Sequence, residues 1–288
     1  MLTLHSENPG KPGRVVVMGA GGFVGQASSR LLKTTGFEVI ALTRKEVDLL
    51  AVEAAGRLAS HLSPESTLIL TSAQAPCKDI PMLLANLRMM ETVINAVKSC
   101  AVQHLVYISS DAVYKDCSRP LSEISCAEPA SLHGVMHLTR EVMLKNELPN
   151  VPQVFVRPTL IFGPGDPHNG YGPNRFMRLA HQGQEIVLFG EGEELRDHIF
   201  IEDVAEIVRR CVVHRATGVV NAVSGIVTSF KEIADLAARI EPRVMVRGSP
   251  RRGPVPHGGY RAFDCSLLKQ AFPDFKPTTL AHGLDRMR

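Results

Sequence analysis

The chain has 288 residues, of which 44% are apolar and 21% are charged, and its formal net charge is +3. This length suits one core domain with a smaller lobe better than two independent domains. The net charge is too small to predict a nucleic-acid partner. No run of 18 apolar residues is present, so no membrane-spanning helix is expected. The six cysteines form no Cys-x-x-Cys pair and are typical of reduced thiols in a cytoplasmic protein.

Residues 1–13 are polar and contain two prolines. They lack the apolar segment that a secretory signal peptide requires. The sequence therefore predicts a flexible tail ahead of the first strand.

The first half of the chain alternates short apolar strands with helical patterns. Strands are predicted at 14–18, 38–42, 67–70, 104–109 and 153–157, and helices at 23–35, 82–100 and 131–147. Short β-branched runs indicate buried strands, whereas apolar residues at helical spacing indicate helices. Strands that alternate with helices predict a parallel sheet that is covered on both faces.

The second half begins with a glycine- and proline-rich loop at 162–172 and continues with shorter elements. Helices are predicted at 176–182, 203–215 and 229–240, and strands at 186–188 and 218–222. Asp203 is expected to cap one helix and Asp264 a last short helix before Pro273. These patterns predict a core at 14–160 and a smaller lobe at 161–288, of which about 199–223 returns to the core.

Three glycines, Gly19, Gly22 and Gly25, lie directly between a predicted strand and a predicted helix. Glycine at these positions permits a tight turn and lets a ligand approach the backbone closely. A helix that begins at Phe23 and Val24 offers free N–H groups and the positive end of its dipole to a pyrophosphate. The spacing and its context therefore predict a dinucleotide site; the alternative is a turn without a ligand.

The second strand is followed by Thr43, Arg44 and Lys45. An acidic residue here would bind the ribose 2′-hydroxyl of NAD, whereas an arginine accommodates the 2′-phosphate of NADP. The sequence therefore favours NADP over NAD, with Thr43 and Arg44 as contacts. The alternative is a solvated basic loop. Ser72 and Ala73, directly after the third strand, are assigned to the same cofactor site.

Three further segments carry longer motifs: Val106 to Tyr114, Arg157 to Asp166, and Phe189-Gly190 followed by Arg196 to Ala205. Together with the glycine turn, they resemble the extended short-chain dehydrogenase/reductase family, also called the NAD-dependent epimerase/dehydratase family. The resemblance implies a Rossmann-like doubly wound parallel sheet with a smaller C-terminal substrate-binding lobe. It also implies a homodimer in which bound NAD(P) exchanges hydride with a carbon of a sugar nucleotide.

In that family a tyrosine acts as the acid/base, a lysine four residues later lowers the tyrosine pKa, and a serine or threonine bonds the reacting oxygen. Ser110 matches the hydroxyl position, and Asp111 matches an acidic residue that some members carry beside it. His133 and His137 stand where the tyrosine and the lysine are expected. None of the four tyrosines is followed by lysine four residues later.

Three interpretations of this histidine pair stay open, because residues i and i+4 lie on one helix face. In the first, His133 is the acid/base and His137 bonds the cofactor ribose, although only protonated His137 would supply the lysine charge. In the second, the two rings share a metal ion with a third ligand; we predict no metal site. In the third, both are remnants in a protein that binds the cofactor without catalysis.

On the substrate side, Arg196 resembles the family arginine that contacts the diphosphate, and Arg252 and Asn174 resemble further nucleotide contacts. Arginine suits a diphosphate because its guanidinium forms paired hydrogen bonds. The sequence therefore predicts an NAD(P)-dependent enzyme that modifies a sugar nucleotide as an epimerase, a reductase or a dehydratase. The alternative is an NAD(P)-binding sensor or partner protein without turnover.

Overall fold

A six-stranded parallel sheet forms the centre of the computed structural model, which describes residues 2–5, 10, 13–240 and 243–288. Its strands are β1 (Arg14–Met18), β2 (Val39–Leu42), β3 (Ser66–Leu70), β4 (His104–Ile108), β5 (Gln153–Pro158) and β9 (Gly218–Ala222). They lie in the order β2-β1-β3-β4-β5-β9, and every neighbouring pair is parallel. The predicted return of residues 218–222 to this sheet is confirmed.

Helices cover both faces of the sheet. On one face lie α1 (Phe23–Thr34), α6 (Ile201–Val213) and α8 (Ser266–Ala271); on the other lie α2 (Ala54–Ala59), α3 (Ile80–Ser99) and α4 (Leu132–Glu147). Alternate residues of β1 pack against the two helical layers, because successive side chains of a strand point to opposite faces. Val15 and Val17 pack in the α1–α6 layer, and Val16 packs in the α2–α4 layer. The doubly wound α/β fold is confirmed.

The remaining elements form a smaller lobe beside the carboxyl ends of the strands. They are β6 (Leu160–Phe162), α5 (Pro173–His181), β7 (Ile186–Phe189), β8 (Leu195–Phe200), β10 (Val227–Ser229), α7 (Phe230–Ala238), β11 (Val246–Ser249), β12 (Tyr260–Arg261) and α9 (Leu280–Asp285). Strand β8 pairs with β10, β12 and β6, and β7 pairs with β11. Within the described ranges, no helix is both long and apolar enough to cross a lipid bilayer.

The prediction of a flexible tail is wrong for residues 2–5. Thr3 and Thr217 exchange two backbone N–H···O hydrogen bonds of 2.8 Å, and Leu2 and Leu4 pack against the core. The backbone N–H of Gly10 also donates to the carbonyl of Val213, at 3.3 Å. The rest of the predicted tail, at positions 1, 6–9 and 11–12, lies outside the described residues.

Asp203 and Asp264, which the sequence predicts as helix N-caps, do not occupy the N-cap positions. Helix α6 begins at Ile201, so Asp203 is in its first turn, where its carboxylate accepts hydrogen bonds from the N–H and hydroxyl of Thr278. Asp264 accepts from the N–H of Ser266 at 2.8 Å, but the residue at the N-cap of α8 is Cys265. Asp203 therefore ties α6 to the C-terminal segment rather than capping a helix.

Candidate functional site

The three glycines of the turn have different surroundings. A Cβ added at Gly19 would lie 2.6 Å from the backbone nitrogen of Ser72, and one at Gly25 would lie 2.2 Å from the carbonyl oxygen of Gly19. A Cβ at Gly22 would meet only that same oxygen, at 3.4 Å. Gly22 is the N-cap of α1 and has no side chain to occupy the first N–H groups. The turn therefore fits a pyrophosphate at Gly22, while Gly19 and Gly25 are required by packing.

A cleft of about 460 Å³ lies beside the turn, at the carboxyl ends of β1, β2 and β3. It is lined by the predicted cofactor residues Gly19, Gly22, Thr43, Arg44, Ser72 and Ala73. The Thr43 hydroxyl donates to the Glu46 carboxylate at 2.6 Å, and the Arg44 guanidinium bonds the Asp48 carboxylate at 3.1 Å. The Ser72 hydroxyl is buried without a hydrogen-bond partner among the described residues.

A second cleft, of about 800 Å³, continues from the first and shares Gly22, Thr71 and Ala73 with it. Besides the turn residues Gly22, Phe23, Val24 and Gly25, it is lined by Ser110, Asp111, His133, His137 and Arg196. The fold thus brings the glycine turn, the predicted catalytic residues of two segments and the predicted substrate residue Arg196 together at the carboxyl edge of the sheet. Ligands bind at this edge in open α/β sheets.

Helix α4 is held close to the loop that follows β4. A Cβ at Gly134 would lie 2.1 Å from the carbonyl oxygen of Ala112, so only glycine permits this approach. Deeper in the core, the buried Glu141 carboxylate accepts two bonds from Arg157, at 2.9 and 2.6 Å, and one from Ser109 at 2.6 Å. These contacts fix α4 against β4 and β5 and bring His133 to the same cleft as Ser110.

The two histidine rings meet edge to face, with centroids 4.7 Å apart. The Nδ1 atom of His133 accepts a long hydrogen bond, 3.4 Å, from the backbone N–H of Cys77. The Nδ1 atom of His137 lies 2.8 Å from the hydroxyl of Tyr107. Each ring therefore has one nitrogen engaged by the protein and one left over.

Burial is the main cause that lowers the pKa of His133, while the Asp111 carboxylate opposes that shift and His168 adds to it. Burial also lowers the pKa of His137 well below 6.5, assisted by His133 and Arg140. A pKa below the usual range means a neutral ring at neutral pH. The interpretation in which protonated His137 supplies the lysine charge is therefore not supported.

Ser110 and Asp111 sit in a short turn between β4 and α4. The Ser110 hydroxyl oxygen accepts from the N–H of Ala112 at 3.1 Å. The Asp111 carboxylate accepts from Nε of Arg261 at 2.8 Å, and Arg261 also bonds Asp116 at 2.7 Å. Sequence reasoning missed Arg261, because it lies 150 positions from Asp111 and belongs to no motif.

At the far end of the second cleft, two arginines share one carboxylate. Arg196 donates to Glu194 at 2.5 Å and to the carbonyl of Pro256 at 2.7 Å, and Arg251 also forms an ion pair with Glu194. Arg196, Arg251 and Glu194 all line the cleft. Neither Glu194 nor the pairing of Arg251 with it was predicted.

Two predicted substrate residues lie elsewhere. Arg252 is exposed and lines neither cleft, whereas its neighbour Arg251 lines the second cleft. Asn174 is buried and lines neither cleft; its side-chain oxygen accepts from the N–H of Gly163 at 3.0 Å. That bond stabilises the loop between β6 and α5.

A shared metal ion has no support in the described part of the chain. No group of three or more histidine, cysteine, aspartate or glutamate side chains is placed there to hold one. A histidine pair without a third ligand does not make a zinc site.

Comparison with known proteins agrees with the resemblance. The profile of the "NAD dependent epimerase/dehydratase family" matches residues 15–224. A curated relative, the dTDP-4-dehydro-6-deoxy-D-allose reductase of Streptomyces bikiniensis, is 26% identical over 94% of this chain and 94% of its own. This profile match confirms the predicted family and its NAD(P) cofactor.

Solved structures agree on the fold. A GDP-L-fucose synthetase from Naegleria fowleri bound to NADP superposes with a TM-score of 0.85 at 17% identity, over 98% of this chain and 95% of that one. MoeE5 in complex with UDP-glucuronic acid and NAD gives a TM-score of 0.80 at 24% identity, over 96% and 97%. The Rossmann-like fold is thereby confirmed.

Proposed function

Because the chain belongs to the NAD dependent epimerase/dehydratase family, we propose that it is an NAD(P)-dependent enzyme that modifies a sugar nucleotide. The reaction is an epimerisation, a reduction or a dehydration. The observation that carries the proposal is the second cleft, which runs from the glycine turn past Ser110 and His133 to Arg196. A dinucleotide at one end and a substrate phosphate at the other would meet at these two side chains.

The cofactor is assigned to the first cleft and to the turn. The backbone at Gly22 and the N–H groups of Phe23 and Val24 would bind the pyrophosphate, while Gly19 and Gly25 would keep the turn tight. Thr43, Arg44, Ser72 and Ala73 line the first cleft and would hold the adenosine half, and His137 lines the second cleft and would bond the nicotinamide ribose. When bound, NAD(P) supplies or accepts the hydride.

A preference for NADP over NAD is proposed through Arg44. Its guanidinium is largely exposed and, among the described residues, bonds Asp48 alone, at 3.1 Å. Such an exposed pair contributes little energy, and a 2′-phosphate can replace it. Titration with both cofactors tests this point. Arg44→Ala should remove the preference, and a wild-type preference for NAD would contradict it.

His133 is proposed to exchange a proton with the reacting oxygen, which Ser110 bonds. In the neutral ring the Cys77 N–H occupies Nδ1, so the proton is on Nε2 and the ring is a hydrogen-bond donor to the cleft. To act as an acid or a base at Nε2, the ring must also be able to carry a proton on Nδ1. The bond to Cys77 is 3.4 Å long and therefore weak, so little hydrogen-bond energy is lost when the ring turns Nδ1 away from this N–H to take up a proton.

Arg196 and Arg251 are proposed to bind the diphosphate of the substrate, with Glu194 between them. Arg196→Ala should weaken binding of a sugar nucleotide by about ten- to a hundredfold, because a hydrogen bond to a charged group contributes about 1.5–3 kcal/mol. Cofactor affinity should stay unchanged, and an equal loss for both ligands would indicate misfolding instead.

The experiment that tests the proposal is a panel of sugar nucleotides with each cofactor, followed by nicotinamide absorbance and by product analysis. Product analysis is needed because epimerisation and dehydration leave no net absorbance change. His133→Ala should abolish turnover, and His282→Ala, at an exposed position, is the matched control. The double variant His133→Tyr/His137→Lys should retain or gain turnover if the cleft has kept the family geometry.

The alternative function is an NAD(P)-binding sensor or partner protein without turnover. It is favoured by one observation: Glu194 already neutralises part of the charge of Arg196 and Arg251. Cofactor binding without turnover by either the wild type or the double variant, across the whole panel, would select this alternative.

We also propose a homodimer, formed through α3 and α4. The two helices lie side by side on one face of the sheet and leave Leu84 and Val142 about half exposed. Sedimentation of the wild type and of Leu84→Glu/Val142→Glu tests this assembly, and a monomeric wild type would contradict it.

A further inference from the structure

Arg140 is a fully buried cation one turn beyond the histidine pair on α4. In the described part of the chain it has no carboxylate within ion-pair distance. Its Nη2 donates to the carbonyl oxygen of Ser72 at 2.9 Å, Nη1 contacts the sulfur of Met136 at 3.8 Å, and Nε has no partner. Buried charges are normally paired, since an unpaired one costs several kcal/mol. Arg140 thus lacks the ion pair that a buried guanidinium normally has among its neighbours in the described part of the chain.

The charge lies against a buried tyrosine. The guanidinium carbon of Arg140 is 5.1 Å from the centroid of the Tyr107 ring. Burial raises the pKa of Tyr107 to about 12, and the charge of Arg140 is the first cause that opposes this shift. Tyr107 thus keeps its proton at neutral pH. The Arg140 charge also helps to lower the pKa of His137, so the ring beside the Tyr107 hydroxyl is neutral and can accept a hydrogen bond from it.

Among the described residues, one hydrogen-bond acceptor lies within reach of the Tyr107 hydroxyl. The Nδ1 atom of His137 lies 2.8 Å from the hydroxyl oxygen. The other charged or titratable groups that act on His137 are His133 and Arg140, both on the same helix. Glu141, one position after Arg140, accepts its hydrogen bonds from Arg157 instead. If Nδ1 accepts, the proton of the neutral imidazole is on Nε2. No described residue hydrogen-bonds this Nε2, and His137 lines the second cleft.

We propose that Tyr107 and Arg140 are positioning residues that hold His137 as a neutral Nε2–H donor toward the cofactor side of the cleft. The assignment of that donor to the cofactor rests on the proposed function. The positive charge that the family lysine would place at position 137 is located at Arg140, three residues further along the helix. Arg140 also holds Ser72, whose loop lines the first cleft, so one cation organises both parts of the site.

The test is the tautomer of His137, read by long-range ¹H–¹⁵N correlation on the ligand-free protein between pH 5.5 and 8. In the wild type we expect an unprotonated Nδ1 and a protonated Nε2 at every pH in this range. Tyr107→Phe removes the donor to Nδ1 and should shift the Nδ1 resonance or give a mixture of tautomers. Tyr114→Phe is the matched control, because it deletes another buried tyrosine hydroxyl, which bonds Asn221 instead.

A His137 ring protonated on Nδ1 in the wild type overturns the proposal, even if Tyr107→Phe does not fold. An unchanged His137 signal in folded Tyr107→Phe also overturns it. Arg140→Lys, which keeps the charge, should preserve the tautomer, whereas Arg140→Met should lose it.

Cofactor titration separates this proposal from the proposed function. Tyr107→Phe should bind NADPH about three- to tenfold more weakly than the wild type and Tyr114→Phe, the loss expected for one hydrogen bond. If the tautomer is as expected but the wild type binds no cofactor, the positioning role stands and the proposed function fails. If the variant loses the tautomer with no change in NADPH affinity, the assignment of His137 to the cofactor is wrong.

Discussion

At the scale of single residues, Gly22 and Gly25 differ in what surrounds them, although both belong to the same turn. Gly22→Val should abolish dinucleotide binding without unfolding the protein, because its Cβ has room beside Gly19 but its side chain fills the space of the pyrophosphate. Titration with NADPH, together with a thermal melt, measures both effects.

Gly25→Val is the contrasting variant. Its Cβ would lie 2.2 Å from the Gly19 carbonyl and 2.8 Å from the Thr71 hydroxyl, so we expect destabilisation by about 3 kcal/mol.

For the Gly22 prediction, a folded Gly22→Val protein with unchanged affinity for NADPH would show that the cofactor binds elsewhere.

Functional residues that belong to a short sequence motif could be predicted. Those whose contacts depend on the tertiary fold could not. Ser110, His133 and Arg196 were found because each stands at a motif position, and all three line one cleft. Tyr107 was visible only as part of a strand, since its partner His137 lies 30 positions later on a helix. The sequence prediction chose Arg252, whereas Arg251 is the one that lines the cleft, because adjacent loop residues do not reveal which one faces inward.

At the scale of elements, the predicted strands and helices of the core were confirmed, but the lobe strands β6, β8, β10, β11 and β12 were missed. Long periodic segments give a strong signal, whereas strands of two to six residues in polar surroundings do not. Strand β8 illustrates the difficulty, because its sequence Leu195–Phe200 contains three charged or titratable side chains. These side chains are buried by the lobe, which the local sequence does not show.

Glu194, in the connection between β7 and β8, allows a test of the anion site. Glu194→Gln removes the carboxylate shared by Arg196 and Arg251, so the site gains one unit of positive charge. Binding of UDP or inorganic pyrophosphate should tighten by about tenfold, in line with about 1.4 kcal/mol. Stability should fall, because two buried guanidinium groups lose their partner.

Calorimetric titration measures that affinity, and Glu191→Gln, an exposed acid in the same turn, is the control for net charge. Weaker binding by Glu194→Gln would mean that Glu194 orients the arginines for the ligand rather than competing with it.

At the scale of the whole molecule, a parallel sheet follows from alternating strands and helices, but the pairing of the N-terminal residues beside β9 does not. Thr3 pairs with Thr217 although the composition of residues 1–13 predicts a loose tail. A two-residue bridge has no sequence pattern, so only the folded arrangement of α6 and β9 reveals its partner.

Buried histidines make the stability of the whole molecule depend on pH. Burial lowers the pKa of His104 and of His198 to about 4, from 6.5. Both rings are therefore neutral in the folded state, while the unfolded chain binds protons below pH 6.5, so their contribution is present above that pH and is lost toward pH 4. Asp197 acts in the opposite direction, since burial raises its pKa to about 6.

For these three groups together, lowering the pH from 7 to 5 should cost about 2 kcal/mol of unfolding free energy. His104→Gln should remove one histidine contribution and make the fall between pH 7 and 5 smaller by about 2 kcal/mol. The amide can still donate to the carbonyl of Ala216, which His104 bonds at 2.8 Å. Urea unfolding at both pH values measures the difference, with His282→Gln, at an exposed position, as the control. Equal pH dependence in His104→Gln and the wild type would show that the pKa of His104 does not change on folding, because a group alters the pH dependence only when the folded and unfolded chains bind different numbers of protons.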